Sequence, residues 1–147
     1  MIHFTGDLLE LARRGVFDVI VHGCNCQHTM GKGIAKSIRE QFPTAYEADL
    51  RTPKGDRAKL GTISVAEVGP LTIVNGYTQF HYGGGVDGEA KYDAIRSVFR
   101  EVRRRFTGRR IGYPRIGAGL GGGDWKLIAD IIDEELAGES HALVVLP

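Results

Sequence analysis

The run His22-Gly23-Cys24-Asn25-Cys26-Gln27-His28-Thr29-Met30-Gly31-Lys32-Gly33-Ile34-Ala35 gathers histidines, cysteines, an asparagine and glycines in one short stretch. Three chemistries use such residues: a metal site, a thiol nucleophile, and a loop that holds an anion against a helix. Structural zinc sites use two cysteines two to four residues apart with a second pair further along. Here the two cysteines are one residue apart and no others exist. Adding His22 and His28 would place every ligand in one loop, with no second element to cross-link, so no metal site is predicted. A cysteine nucleophile needs a base and a lowered pKa. Cys24 shares a face with His22 only if a strand continues through both, and a small buried residue is the simpler reading of it. The anion loop is the reading this run supports best. His22 titrates near neutral pH and is either a catalytic residue at the end of a strand or a satisfied core histidine. His28 reads as an exposed loop residue without a role.

A second glycine loop, Gly117-Ala118-Gly119-Leu120-Gly121-Gly122-Gly123, shares the setting of Met30-Gly31-Lys32-Gly33: each follows a predicted strand and runs into a predicted helix. Glycine lets the backbone approach a ligand closely, and a helix N-terminus presents unpaired N–H groups and the positive end of a dipole. Two such loops at neighbouring strand ends would make a cradle for a diphosphate; the alternative is that the glycines serve only tight strand-to-helix turns. Neither reads as G-x-G-x-x-G after the first strand, and Gly31-Lys32-Gly33-Ile34-Ala35 lacks the Lys-Ser/Thr pair of a P-loop. A further wall is expected from Thr78 and Gln79, then His81 and Asp87, leading into a glycine-rich stretch. Asp124, before Trp125, reads as a helix N-cap rather than a catalytic acid.

The elements that must position these loops alternate. Strands are predicted over 2–5, 17–21, 60–68, 71–78, 111–114 and 142–146, and helices over 8–14, 34–42, 44–50, 89–106 and 124–136. Asp7 is a good cap for the first helix, and Pro43 breaks the second. The apolar, β-branched stretch 17–21 suits a strand buried on both faces. The strands on either side of Gly69-Pro70 form an antiparallel pair. The pattern predicts one α/β domain over 1–147, a three-layer α/β/α sandwich with a mixed, mostly parallel sheet of about six strands.

Composition narrows the function classes. Nineteen Lys and Arg against eighteen Asp and Glu give a net charge of +1, which is not the basic footprint of a duplex-binding protein. The run Arg103-Arg104-Arg105 closes a predicted helix, where cations suit the dipole. Cys24 and Cys26 are too close for an ordinary disulfide, which points to a reducing, cytoplasmic setting. No apolar stretch approaches the roughly 18 residues of a membrane span, and Asp7 and Glu10 sit where a signal peptide would be apolar. The 21 glycines are about twice the usual share and are clustered.

Four segments in order, Gly6-Asp7-Leu8, Val21-His22-Gly23-Cys24-Asn25, Met30-Gly31-Lys32-Gly33-Ile34-Ala35 and Pro114-Arg115-Ile116-Gly117-Ala118-Gly119-Leu120, resemble the macro domain over nearly the whole chain. The His-x-Cys-Asn form, with Trp125-Lys126 opening the last helix, looks most like the ADP-ribose-1″-phosphate phosphatase branch. The resemblance implies an ADP-ribose cleft at the carboxyl edge of the sheet. It assigns Asp7, beside Leu8, to the adenine amino group and Asn25 to the distal ribose, whose hydroxyls suit an amide donor and acceptor. It assigns Gly31, Lys32, Gly33 and Ile34 to that ribose and the nearer phosphate. Gly117, Ala118, Gly119, Leu120, Gly121 and Gly122 fall to the second phosphate loop. Thr78 and Gln79 complete the ligand-binding set.

Three departures accompany the resemblance. The aromatic that stacks on adenine in many relatives is missing, so Leu146 or Phe4 has to pack there. Gln79 and Gly121 stand where one glycohydrolase branch has its catalytic lysine and aspartate. Position 121 also lacks the aromatic of other relatives. The expected activity is hydrolysis of ADP-ribose 1″-phosphate to ADP-ribose and phosphate, with His22 as general acid or base, Asn25 positioning the sugar and water, and no cofactor or metal. The alternatives are a glycohydrolase that removes ADP-ribose from protein or nucleic acid, and a non-catalytic ADP-ribose reader. The expected partner is ADP-ribose or a derivative, with no membrane, and nucleic acid only where it carries ADP-ribose.

Overall fold

The computed structural model describes residues 1–81, 89–118 and 122–147. Strands β1 (Ile2–Thr5), β2 (Val19–Asn25), β3 (Ile63–Val68), β4 (Leu71–Gln79), β5 (Ile111–Tyr113) and β6 (His141–Val145) form one sheet in the order β1-β6-β5-β2-β4-β3. Only the β3–β4 pair, joined through Gly69, is antiparallel. Helices α1 (Leu8–Arg13), α2 (Gly33–Gln41) and α3 (Pro43–Leu50) cover one face, where Leu9, Ile38 and Ala45 pack on Ile20 and Ile73. Helices α4 (Glu89–Phe106) and α5 (Trp125–Glu135) cover the other, where Val98, Phe99 and Ile132 pack on Val19, Val21 and Val74. Successive residues of β2 thus feed opposite cores, the pattern of a strand buried on both faces. The predicted three-layer sandwich with a mixed, mostly parallel six-stranded sheet is the fold observed.

Two elements, β2 and β3, differ from the sequence reading by more than one residue, and the first bears on the site. β2 starts at Val19 and runs on to Asn25 instead of ending at position 21. His22, Gly23 and Cys24 are poor strand formers, but β4 is nine residues long and pairs with them at Asn75, Gly76 and Tyr77. Tertiary pairing overrides local propensity there. Phe17, excluded from the strand, fills the space beside Gly112, where a Cβ would lie 2.7 Å from its ring. At the other boundary, residues 57–59 form a short 3-10 turn capped by Asp56, so β3 begins only at Ile63.

Strand order reverses around β2. The chain leaving β2 enters α2 on one face, and the chain leaving β5 leads towards α5 on the other. The carboxyl ends of these neighbouring parallel strands therefore part, which is where open α/β sheets bind ligands.

Candidate functional site

A cavity of about 500 Å³ opens at this point, lined by residues 23–25, 29–35, 78–79 and 114–117. That volume suits a small-molecule ligand. The wall over β2 is a constrained loop. His28 and Met30 hold φ of 59° and 38°, a conformation that costs a side-chain-bearing residue about 1–2 kcal/mol. Hydrogen bonds from several elements fix it. Asn25 accepts from the Gln27 amide through Oδ1 (2.8 Å) and donates from Nδ2 to Thr29 Oγ1 (2.6 Å). His28 donates from Nε2 to the Thr52 carbonyl (2.7 Å), and Tyr46 donates its hydroxyl to the His28 carbonyl (2.9 Å). Arg39, stacked 4.0 Å over the Tyr46 ring, donates to the Thr29 carbonyl (3.0 Å). His28 is therefore not the idle exposed residue the sequence suggested; it latches the loop to the chain after α3. Tyr46, Arg39 and Thr52 escaped sequence reasoning because their only signal is a non-local contact.

Past this loop the chain enters α2 through Lys32, which is extended (φ −142°) and gives no side-chain cap. The first turn carries no acid, and the first helical bond nearby runs from Lys36 N to Lys32 O (3.3 Å). The amides of Gly33, Ile34 and Ala35 are thus the unclaimed donors of a helix start, and all three residues line the cavity. The opposite wall is Pro114, Arg115, Ile116 and Gly117. Gly117 takes φ +75°, and its carbonyl accepts from Gly123 N at 2.7 Å, where any Cβ on Gly123 would come within 2.6 Å of that oxygen.

The helix starts that follow the two glycine loops differ in their caps. Asp124 caps α5 by accepting from Lys126 N through Oδ1 (3.0 Å), so a carboxylate already occupies that helix start. Of these two helix starts, that of α2 is the one without a side-chain cap.

The structure brings Asn25, Gly31, Lys32, Gly33, Ile34, Thr78, Gln79 and Gly117 to one cavity. Ala118 and Gly122 stand outside its lining, and Gly119, Leu120, Gly121 and Asp87 lie outside the described residues. His81 is exposed, its ring edge-on to Phe80. Leu8 is a core residue. Asp7 caps α1, and both bonds, from Leu9 N (2.9 Å) and Glu10 N (3.2 Å), converge on Oδ1. That leaves Oδ2 for another donor, at the carboxyl end of β1 on the same sheet edge as the cavity.

His22 is the main correction. It does not line the cavity, is 1% exposed, and donates from Nε2 to Asn75 Oδ1 (2.6 Å). Asn75 Nδ2 donates to the Ala45 carbonyl of α3 and to Ser64 Oγ, Ser64 pairs with the Tyr77 hydroxyl, and Tyr77 donates to Asp49 Oδ1 (2.7 Å). This chain of bonds runs to α3, and none of its residues lines the cavity. Burial holds the imidazole pKa down to about 4, so at neutral pH the ring is uncharged and satisfied. Cys24 Sγ lies 3.7 Å from His22 Nε2, but burial and the nearby Asp49 push its thiol well above the usual range, the opposite of an activated nucleophile.

An open, mostly parallel sheet whose central strands part over a glycine-lined cavity, with one uncapped helix start facing it, defines an α/β protein built to receive an anion-bearing ligand. Residues 21–132 match the macro domain family model, and the chain belongs to that family. It is 38% identical over 136 residues to an uncharacterized 17.5 kDa protein of Enterobacteria phage T4, covering 89% of this chain and 86% of that one. It is 28% identical over 141 residues to a DNA ADP-ribosyl glycohydrolase of Thermus aquaticus, covering 92% of this chain but only 38% of that protein's length. The macrodomain of Thermus aquaticus DarG superposes with a TM-score of 0.77 at 25% identity, over 99% of this chain and 97% of that one. An ADP-ribose 1″-phosphate phosphatase of Ajellomyces capsulatus is 46% identical over 41 residues, 28% of this chain and 15% of that protein.

Proposed function

We propose that the chain binds ADP-ribose in this cavity and hydrolyses ADP-ribose 1″-phosphate to ADP-ribose and phosphate. The observation that carries the reading is the row of unclaimed amides at Gly33, Ile34 and Ala35, set in a glycine-lined space between β2 and β5. Those amides suit a diphosphate. Asn25, with one amide hydrogen and further acceptor capacity beyond its two loop bonds, suits the distal sugar. What lines the space among the described residues supports phosphate as the leaving group. Among the described lining residues the ionisable ones are Cys24, Lys32 and Arg115, and none is a carboxylate or imidazole placed to protonate a departing group. Phosphate departs as a stable anion without such help, whereas a nucleobase or amide nitrogen needs it. Catalysis on this reading is positioning and charge stabilisation, by Asn25 and the backbone N–H groups.

A second reading, removal of ADP-ribose from DNA, is favoured by the likeness to the Thermus aquaticus glycohydrolase along most of the chain, against the short stretch shared with the phosphatase. Incubation with ADP-ribose 1″-phosphate, and separately with ADP-ribosylated DNA and protein, decides between them. We expect phosphate release, reduced about 10²-fold by Asn25→Ala through loss of sugar and water positioning. Release of ADP-ribose from DNA alone installs the second reading, and tight ADP-ribose binding without any turnover makes the chain a reader.

Asp7 would accept from the adenine amino group through Oδ2 while Oδ1 keeps the cap. Asp7→Ala should therefore lower ADP-ribose affinity about tenfold and also cost about 1 kcal/mol of stability. A lowered Tm with unchanged calorimetric affinity would reduce Asp7 to a cap.

A further inference from the structure

Strand β3 ends the sheet and pairs only with β4. An edge strand offers a row of N–H and C=O groups to any further strand, and natural edges are blunted by Pro, Lys or a bulge. Ile63–Val68 contains neither Pro nor Lys and meets β4 residue for residue. Tyr77 N donates to the Thr62 carbonyl (3.0 Å). By the alternation of an antiparallel ladder, Ser64, Ala66 and Val68 then bond β4, while Ile63, Val65 and Glu67 turn their backbone groups to the open edge. The side chains of these three stand on the α4 face. Ile63 and Val65 pack on the core there, and Glu67 follows by alternation and is exposed. Between this edge and α4 lies a groove of about 360 Å³ whose lining includes Ile63, Arg100, Glu101 and Arg105. Arg100 is held by Glu135, and Glu101 by Arg104. Arg105 is exposed, its guanidinium 5.5 Å from the Phe106 ring, and among the described residues it forms no ion pair; nor does Glu67. The edge thus carries an acid and the groove beside it a cation.

We infer that β3 is the interface of a two-fold dimer, in which the β3 strands of two copies pair antiparallel and Glu67 of each copy meets Arg105 in the groove of the other. Setting Val65 opposite Val65 on the two-fold axis places Ile63 opposite Glu67 at both ends. Residues with outward-facing backbone groups then meet one another, and each Glu67 arrives over the Ile63 end of the groove. A slip by one residue sets outward-facing groups against inward-facing ones. A slip by two either sets Glu67 opposite Glu67, where like charges repel, or runs off the start of the strand. The other sheet edge, β1, has no acid or arginine within Ile2–Thr5, so it lacks this self-complementary charge. The groove shares no residue with the ligand cavity, and the inference is independent of what the cavity binds.

The test is sedimentation equilibrium of the wild type, Glu67→Arg, Arg105→Glu and the double variant that exchanges the two charges. Both side chains are exposed, so circular dichroism should show the same fold in all four. The wild type should be a dimer, and each single reversal should raise its dissociation constant about tenfold or more, because like charges then face each other across the interface. The exchange restores opposite charges and should bring the constant back to within about threefold of wild type. A wild type that stays monomeric at about 0.1 mM, a concentration that populates even weak dimers, overturns the inference. A dimer indifferent to both reversals, or a double variant that associates no better than the single ones, overturns it as well, since the contact between copies then lies elsewhere.

Discussion

Gly33→Asp is expected to weaken ADP-ribose binding by about a hundredfold or more in a protein that still folds. Gly33 opens α2 at φ +58°, and its amide and the next two have no helical partner. An aspartate there puts a carboxylate against the same amides and the same dipole end that the diphosphate would use. Losing two charge-assisted hydrogen bonds at about 1.5 kcal/mol each amounts to about 3 kcal/mol, which is about a hundredfold. The substitution also carries a backbone term, since an L-residue in the left-handed region costs about 1–2 kcal/mol. Gly33→Ala separates the two contributions: it bears the same backbone cost, so its Tm should fall as far, yet it leaves the amides free and should keep most of the affinity. Calorimetry that gives both variants the same ADP-ribose affinity would mean that the α2 start is not the phosphate site.

What could be read from the sequence follows from which interactions are local. Asp7 and Asp124 are read as caps from their positions alone, and both are caps in the structure, because a cap is settled within three residues. The helix over 89–106 is legible from Ile95, Val98, Phe99 and Val102, and all four are buried. The glycine loop at 31–33 is legible because glycines beside a predicted helix start mark a tight strand-to-helix turn, and Gly33 takes φ +58° there. Face and register were harder. Whether His22 meets the ligand depends on which way β2 presents it, and that is decided by pairing with β4, fifty residues on. The same holds for the loop fasteners Tyr46, Arg39 and Thr52, which no short pattern marks. The difference between the two helix starts was visible in Asp124, but its meaning for an anion emerges only when both helix starts are compared in space.

The placement of His22 makes a prediction that separates a core histidine from a catalytic one. In the unfolded chain it takes up a proton near the ordinary pH of 6.5, whereas in the folded protein burial delays this to about 4. The unfolded state therefore binds more protons between those values. Stability associated with the neutral ring is complete above pH 6.5 and is lost as the pH falls towards 4, by about 3 kcal/mol in all and about 2 kcal/mol by pH 5. For a domain of this size that is roughly 6 °C in Tm between pH 7 and pH 5. Most of this window lies above the range of Asp18 and Glu135, whose carboxyls are held below their ordinary values by arginines and titrate in stronger acid. His141, also lowered by burial, adds a contribution of the same sign. His22→Gln keeps an amide donor for Asn75 and removes the titration, so its Tm should be flatter between pH 7 and pH 5 while ADP-ribose affinity and turnover at pH 7.5 stay near wild type. A turnover profile with an inflection near 6.5 that disappears in His22→Gln, at unchanged affinity, would return the imidazole to the reaction. A Tm profile as steep as wild type in that variant would show that other groups carry the acid sensitivity.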